Sequence, residues 1–314
     1  MIQVYKTNQQ TNKVEKIEQI EENSWIELIE PTNEEIELVV TKTGIEKQLI
    51  TKVLDKEEIS RIEVEKGATL IVVNLPDSID NVKKNKYRTF PLGIIHSNNN
   101  YFITVALKEN KLFEDFEKGS VRDFFPEKKT RFTIQLLSRI ASLYLKDLNE
   151  MNEDISKKEQ ILFKATKNQE LLELLNIEKS LVYFMGSLKY NQTTLEKLSR
   201  GTIIPMYDDD ADLLEDAMIE NNQALEMANL YNQILASTAD TYASIISNNL
   251  NVLMKFLAGI TIVFSIPTMI ASFMGMNVPL GDFGKNAASF FIIVLLSFIL
   301  SILIAYWLKK KDML

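Results

Sequence analysis

The sequence predicts a membrane protein of α+β/α class: an N-terminal α/β domain, then long helices, then two C-terminal transmembrane helices. Three observations predict it. Two uncharged stretches, 256–274 and 286–308, are each long enough to cross about 30 Å of hydrocarbon. From Lys129 onward, apolar residues recur at helical spacing with few breakers. Before that, short runs rich in β-branched and aromatic residues are separated by turn signals.

The N-terminal domain is assigned to residues 1–128. Thr69–Leu75 reads as a buried strand stopped by Pro76, and Tyr101–Leu107 reads the same way. Phe90–His96 is a third run, and Asn98-Asn99-Asn100 looks like a turn into the next strand. Thr32-Asn33-Glu34-Glu35 carries the signature of a capping box, a hydroxyl followed three residues later by a carboxylate. Leu38-Val39-Val40 is too short to assign by period, and strand order is not readable. Met1-Ile-Gln-Val-Tyr-Lys lacks the basic start and apolar run of a signal peptide, so this domain is expected in the cytosol.

Long helices are expected over 129–250. Ile134, Leu137, Ile140 and Leu143 mark the apolar face of the first, and a second covers roughly Asn168 to Leu198. The break around Gly201 and Pro205 ends in Asp208-Asp209-Asp210. Asp210 or Asp212 could cap the next helix, or the run could form a cation-attracting tip. From Leu213 the helical pattern continues into the first apolar span, about 60 residues without a break.

The first span and its loop are assigned as 251–277 and 278–285, the second span as 286–308, and 309–314 as a basic tail. A two-span hairpin puts both ends of the chain on one side. Lys255 and Lys309-Lys310-Lys311 place that side in the cytosol by the positive-inside rule. The second span, with Phe290 to Leu296, reads as lipid-facing. The first carries a heptad stripe: Asp240, Ser244, Ser247, Asn251, Met254, Ala258, Thr261, Ser265, Thr268 and Ser272. Small residues at this spacing suit either a helix–helix contact or a pore wall. The carboxylate of Asp240 favours the pore, and a pore needs several copies of the chain.

Composition excludes several functions. The chain carries −8 overall, whereas the residues from 251 onward carry +3, so 1–250 carry −11. Such a surface repels nucleic acid and concentrates cations. There is no cysteine and one histidine, His96, so a metal site must be built mainly from oxygen, which suits Mg²⁺ and Ca²⁺. His96 itself reads as a satisfied strand residue, with a ligand or pH-sensing role as the alternative. No P-loop, cysteine nucleophile or histidine-based triad is present, so an enzyme is not expected.

Gly275-Met276-Asn277 closes the first of the two spans. With Ile266–Met274 before it, Asp240–Lys255 at the span entrance, and Trp25-Ile26-Glu27-Leu28 ahead of Pro31, it resembles the CorA family of magnesium and divalent-cation transporters. The resemblance covers most of the chain. It implies a homopentamer with a cytosolic domain, in which Mg²⁺ is both transported and regulatory. Gly275, Met276 and Asn277 would form the selectivity filter, with a ring of Asn277 amides at the outer mouth and Gly275 allowing the chain to turn. Met254 and Leu257 would form the apolar gate. Asn251, Thr261, Ser265, Thr268 and Ser272 would line the path, and Asp240 would ring its cytosolic end. Asp216 would contribute to a regulatory metal site between subunits, with Asp55, Asp77 or Asp80 as its partner. The outer loop has one acid, Asp282, where many members carry Met-Pro-Glu-Leu, and Met274 stands where an aromatic is common. The expected function is Mg²⁺ influx down its electrochemical gradient across the cell membrane. The alternatives are a zinc, cobalt or nickel transporter of the same superfamily and a non-conducting membrane-anchored scaffold or sensor.

Overall fold

The computed structural model describes residues 1–8, 10–11, 13–65, 67–78, 87–162, 169–276 and 287–311. The chain divides into two compact units, Met1–Ser237 and Thr238–Leu314.

The first unit is built on a mixed seven-stranded sheet of order β2-β1-β3-β7-β6-β5-β4. Its strands are β1 (Ile2–Asn8), β2 (Lys13–Ile17), β3 (Trp25–Ile29), β4 (Arg61–Glu65), β5 (Ala68–Ser78), β6 (Tyr87–Ser97) and β7 (Phe102–Ala106). Only β3 and β7 pair in parallel. The chain between them supplies α1 (Asn33–Thr43), α2 (Lys47–Thr51) and the β4–β6 meander.

Strand alternation gives the sheet two apolar faces. Val4, Ile26, Leu28, Ile103 and Val105 point to one side, where Ile36 and Val39 of α1 and Leu49 and Ile50 of α2 cover them. The residues between them, Tyr5, Trp25 and Phe102, point to the other side. There Trp25 meets Phe132 edge-on at 5.1 Å and Phe102 stacks on Phe132 at 4.3 Å. Phe132 belongs to α4 (Lys129–Leu162), which with α5 (Gln169–Ser199) forms the third layer. The short α3 (Glu114–Glu117) lies between β7 and α4 in sequence.

The capping box at Thr32 forms as the sequence predicts. Glu35 N–H donates to Thr32 Oγ1 at 3.3 Å, and Thr32 N–H donates to Glu35 Oε2 at 2.8 Å. Leu38-Val39-Val40 lies inside α1.

Pro76 does not stop β5, which runs on to Ser78 with Pro76 opposite Thr89. Pairing to β4 ends at Val72, so beyond it β5 is an edge on that side. Asn74 N–H points off that edge, to Asn191 Oδ1 at 2.9 Å. Pro76, two residues on, faces the same way, where a missing N–H costs no ladder bond.

A buried polar knot ties this edge to both helices. Asn191 of α5 donates through Nδ2 to Asn74 O at 2.7 Å, and Tyr144 of α4 donates to the same oxygen at 3.1 Å. Ser60 Oγ donates to Asn191 Oδ1 at 2.7 Å. His96 is also satisfied, with Nε2 2.7 Å from Thr133 Oγ1. Burial, with Lys129 close by, pulls its pKa down to about 3, so the ring is neutral at ordinary pH.

α6 (Asp208–Met274) is a single helix of 67 residues. Within the first unit its buried positions are Asp210, Leu214, Ala217, Asn221, Ala224, Ala228, Tyr231 and Leu235, spaced alternately by four and three. Asn221 Nδ2 donates from this face to Leu188 O of α5 at 3.1 Å. The second unit comprises the rest of α6 and α7 (Ala287–Lys310). Each holds a stretch long and apolar enough to cross a membrane, little of it buried within one chain.

Two substitutions test this packing. Asn191→Ala leaves the Asn74 N–H only the longer contact to Ser60 Oγ at 3.2 Å and removes a donor from Asn74 O, and should cost about 1–3 kcal/mol. Gly93→Ala would put a Cβ 2.4 Å from Val53 Cγ2, and the overpacking should cost about 1–3 kcal/mol. Chemical denaturation of the first unit's tryptophan signal, followed in the full chain, reads both.

Candidate functional site: the exposed seam of α6

The predicted stripe lies on α6 as one exposed face. Asp240, Ser244, Ser247, Asn251, Met254, Ala258, Thr261, Ser265, Thr268 and Ser272 are all exposed in the single chain. Met254 and Leu257 are 62% and 56% exposed, large apolar side chains with no cover from their own chain. Leu257 stands one residue off the stripe, beside Ala258. A shallow groove of about 690 Å³ runs along Thr261, Ser265, Thr268 and Ser272.

The hydroxyls have a shared geometry. Thr261 donates to Leu257 O at 2.8 Å, Ser265 to Ile262 O at 2.8 Å, and Thr268 to Phe264 O at 3.0 Å. Nearer the first unit, Ser244 donates to Asp240 O at 3.0 Å. Each hydroxyl spends its only proton on its own helix, which leaves lone pairs to face outward. The stripe therefore offers acceptors, which suit the hydrogens of a cation's hydration water.

Counting the same heptad backward reaches further than the sequence reading did. Ser237, Gln233, Leu230, Glu226, Gln223, Ile219, Asp216 and Asp212 share the phase, and all are exposed. The buried heptad of the first unit is offset from it by two residues, about 200° around a helix of about 3.6 residues per turn. The signal was present in the sequence, but the polar residues in the N-terminal half of α6 give no contrast with their neighbours.

The start of α6 differs from the expectation. Tyr207 O accepts from Asp210 N–H and Ala211 N–H, so the helix begins at Asp208. Asp210 and Asp212 are therefore inside it and neither is the cap. Asp210 is buried and accepts from Arg131 Nε at 2.8 Å, with Asp209 3.8 Å from the same guanidinium. That pairing holds Arg131 above its usual pKa.

At the far end Gly275 N–H donates to Ala271 O at 3.0 Å, and Met276 N–H to Phe273 O at 3.4 Å. Gly275 does not adopt a left-handed backbone, and a Cβ there would sit 3.4 Å from Ala271 O. The helix end described here does not require glycine for its dihedral angles. Asn277, the loop 278–285 with Asp282, and Asp80 lie outside the described residues.

Asp77 is ion-paired with Lys108, while Asp55 is exposed and accepts from Glu57 N–H at 3.0 Å. Among the described residues, no three carboxylate or histidine side chains of one chain cluster to hold a metal ion. A regulatory ion at Asp216 would need ligands from another copy. On α7 the large residues are exposed, as expected for lipid contact, but Ser289, Ser297 and Leu308 are buried on one face.

A mixed α/β unit joined through one helix to a pair of membrane-length apolar helices defines a two-span membrane protein with a large extramembrane domain. The family model described as CorA-like Mg²⁺ transporter protein matches residues 21–310, and the chain belongs to this family. The cobalt/magnesium transport protein CorA of Methanocaldococcus jannaschii is 24% identical over 296 residues, covering 91% of this chain and 90% of that one. The complete structure of that organism's CorA magnesium transporter superposes with a TM-score of 0.85 at 23% identity, covering 98% and 96% of the two chains. The full-length CmaX protein has the same fold, with a TM-score of 0.72 at 15% identity and coverage of 99% and 96%.

Because the chain has no cysteine, single cysteines can be placed freely. Charged thiol reagents should label Thr261→Cys, Ser265→Cys and Thr268→Cys in lipid at least about tenfold faster than Phe298→Cys on α7, since the thiolate forms in water. Equal rates would show that the seam is not wetted.

Proposed function

We propose that the chain forms a divalent-cation channel for Mg²⁺ influx, with the seam of α6 as its wall. The observation that carries this reading is the phased run of acceptor groups along α6, interrupted at Met254 and Ala258. Lipid offers no reason to keep eight such positions in one phase, and their exposure in the single chain calls for other copies to cover them. A homopentamer, as the family resemblance implies, would bring five seams around one axis.

In this reading residues 1–250 and 309–314 are cytosolic, and both termini lie inside. Spans 251–277 and 286–308 cross the cell membrane, and 278–285 is external. The acidic cytosolic part and the basic tail at the membrane surface agree with that orientation. Mg²⁺ gives up its water reluctantly, so a wall of acceptors would pass it at least partly hydrated. Asn277 carbonyl oxygens would accept from that water at the outer mouth. Met254 and Leu257 would close the path by excluding water. The membrane potential, inside negative, favours entry of a double charge without ATP.

Asp216 projects from the seam's cytosolic half. Bound Mg²⁺ there would bridge carboxylates of neighbouring copies and hold the gate shut. Its loss would leave like charges facing one another and loosen the closed assembly.

Co²⁺ is the second reading, favoured by the name of the archaeal relative. Zn²⁺ and Ni²⁺ belong to the same test. The purified protein in liposomes, with an inward Mg²⁺ gradient and an inside-negative potential, should accumulate Mg²⁺. Asn277→Ala should reduce the rate at least about tenfold, the loss of roughly 1.4 kcal/mol of barrier stabilisation. Uptake of Co²⁺ or Zn²⁺ but not Mg²⁺ would move the substrate. No uptake of any ion by folded oligomers would leave a scaffold or sensor.

A further inference from the structure

Glu27 is a carboxylate in the wrong surroundings. It lies on β3, on the aromatic face of the sheet two residues from Trp25, and is 1% exposed. Neither carboxyl oxygen has a hydrogen-bond donor among the described residues. Its neighbours across the strands are Gln3 and Thr104, and neither donates to it. Thr104 Oγ1 accepts from Trp25 Nε1 at 2.8 Å. Gln3 Oε1 accepts from Tyr5 OH at 2.8 Å and from Lys16 Nζ at 2.7 Å.

The charge that adds most to the effect of burial on Glu27 is the carboxyl of Glu117, the last residue of α3, which lies close enough to act on it directly. Two carboxylates cannot bond to each other without a hydrogen between them, and two charges at that separation repel strongly in a dry site. The surrounding charges do not resolve the conflict. Glu109, after β7, adds to the repulsion, while Lys16 on β2 opposes it. Tyr5 of β1 is itself held in its neutral form by burial, Glu27 and Glu117. Glu114, on α3, burdens Glu117 from the solvent side.

We propose that Glu27 and Glu117 form a proton-binding site, in which one shared proton fastens α3 to the sheet. The proton makes Glu27 a donor to Glu117 and removes one of the two charges. A divalent cation fits less well, because Glu27 is cut off from solvent and Mg²⁺ gives up its water reluctantly. α3 docks through Phe113, which meets Trp25 at 5.5 Å, and Phe116, which meets Phe132 at 5.2 Å, and the carboxyl pair adds a contribution to that docking that depends on pH. Burial and the Glu117 charge push Glu27 up to about 8, whereas a carboxyl released to water titrates near its ordinary value of 4.5. Between those values the docked form holds a proton that the undocked form has lost. Docking is therefore strongest at low pH and weakens as pH rises toward 8.

Hydrogen exchange of the full chain, normalised to the intrinsic rate at each pH, tests this over 107–128. From about pH 6 to about pH 7 the local opening equilibrium should rise up to about tenfold, one proton being released per opening. The isosteric Glu27→Gln should abolish that slope and remove a protonated-carboxyl infrared band present in the wild type at neutral pH. Glu117→Gln, at a half-exposed position, should move the end of the slope to lower pH. A slope that survives in Glu27→Gln, or an infrared band unchanged by it, overturns the proposal. Protection restored at fixed pH by Mg²⁺ in the wild type but not in Glu27→Gln overturns it too, in favour of a metal.

Discussion

Hydrocarbon offers no hydrogen bonds, so a chain that crosses it must satisfy its own backbone. The architecture of α6 depends on that constraint. Once helical across the apolar stretch, the chain can continue helical at no further nucleation cost, and here it runs unbroken from Asp208 to Met274. On a helix of about 3.6 residues per turn a heptad repeat drifts by about 20° every seven residues, so the seam winds slowly around α6 instead of following one straight line.

The first unit makes use of the opposite phase. Its buried heptad is rich in alanine, which lets α6 lie close to its neighbours. Asn221 bonds a carbonyl of α5, and Asn191 of α5 bonds Asn74 at the sheet edge. A chain of buried polar contacts thus links the sheet to the helix that bears the seam. Such contacts contribute little when satisfied and cost much when broken, so they fix position more than they add stability. The ion pair of Arg131 with Asp210 fixes the start of the same helix.

The spans, the long helices, the α1 capping box and the membrane half of the seam were legible in the sequence, because each rests on a local period or a local motif. The strand order was not. A parallel β3–β7 pair separated by more than seventy residues leaves no local trace. Pro76 misled because its tolerance depends on how far β4 extends, a tertiary fact. The Asp208–Asp210 run was read as a cap or a charged tip. Its actual partner, Arg131, lies far away in sequence. Glu27 was visible as part of the family-like Trp-Ile-Glu-Leu stretch, but a strand-borne glutamate shows nothing of its burial until α3 is folded against it.

The hydroxyls of the seam have a consequence for charge discrimination. A chloride ion is solvated by donors: N–H, O–H and cationic groups. Thr261, Ser265 and Thr268 have already given their single donor to the carbonyls of their own helix. At these three positions, in the proposed channel, an anion would meet electron pairs, while a cation or its water would meet an acceptor. A surface without a formal charge between Lys255 and Met274 can therefore still reject anions, simply through the direction in which its hydroxyl protons point.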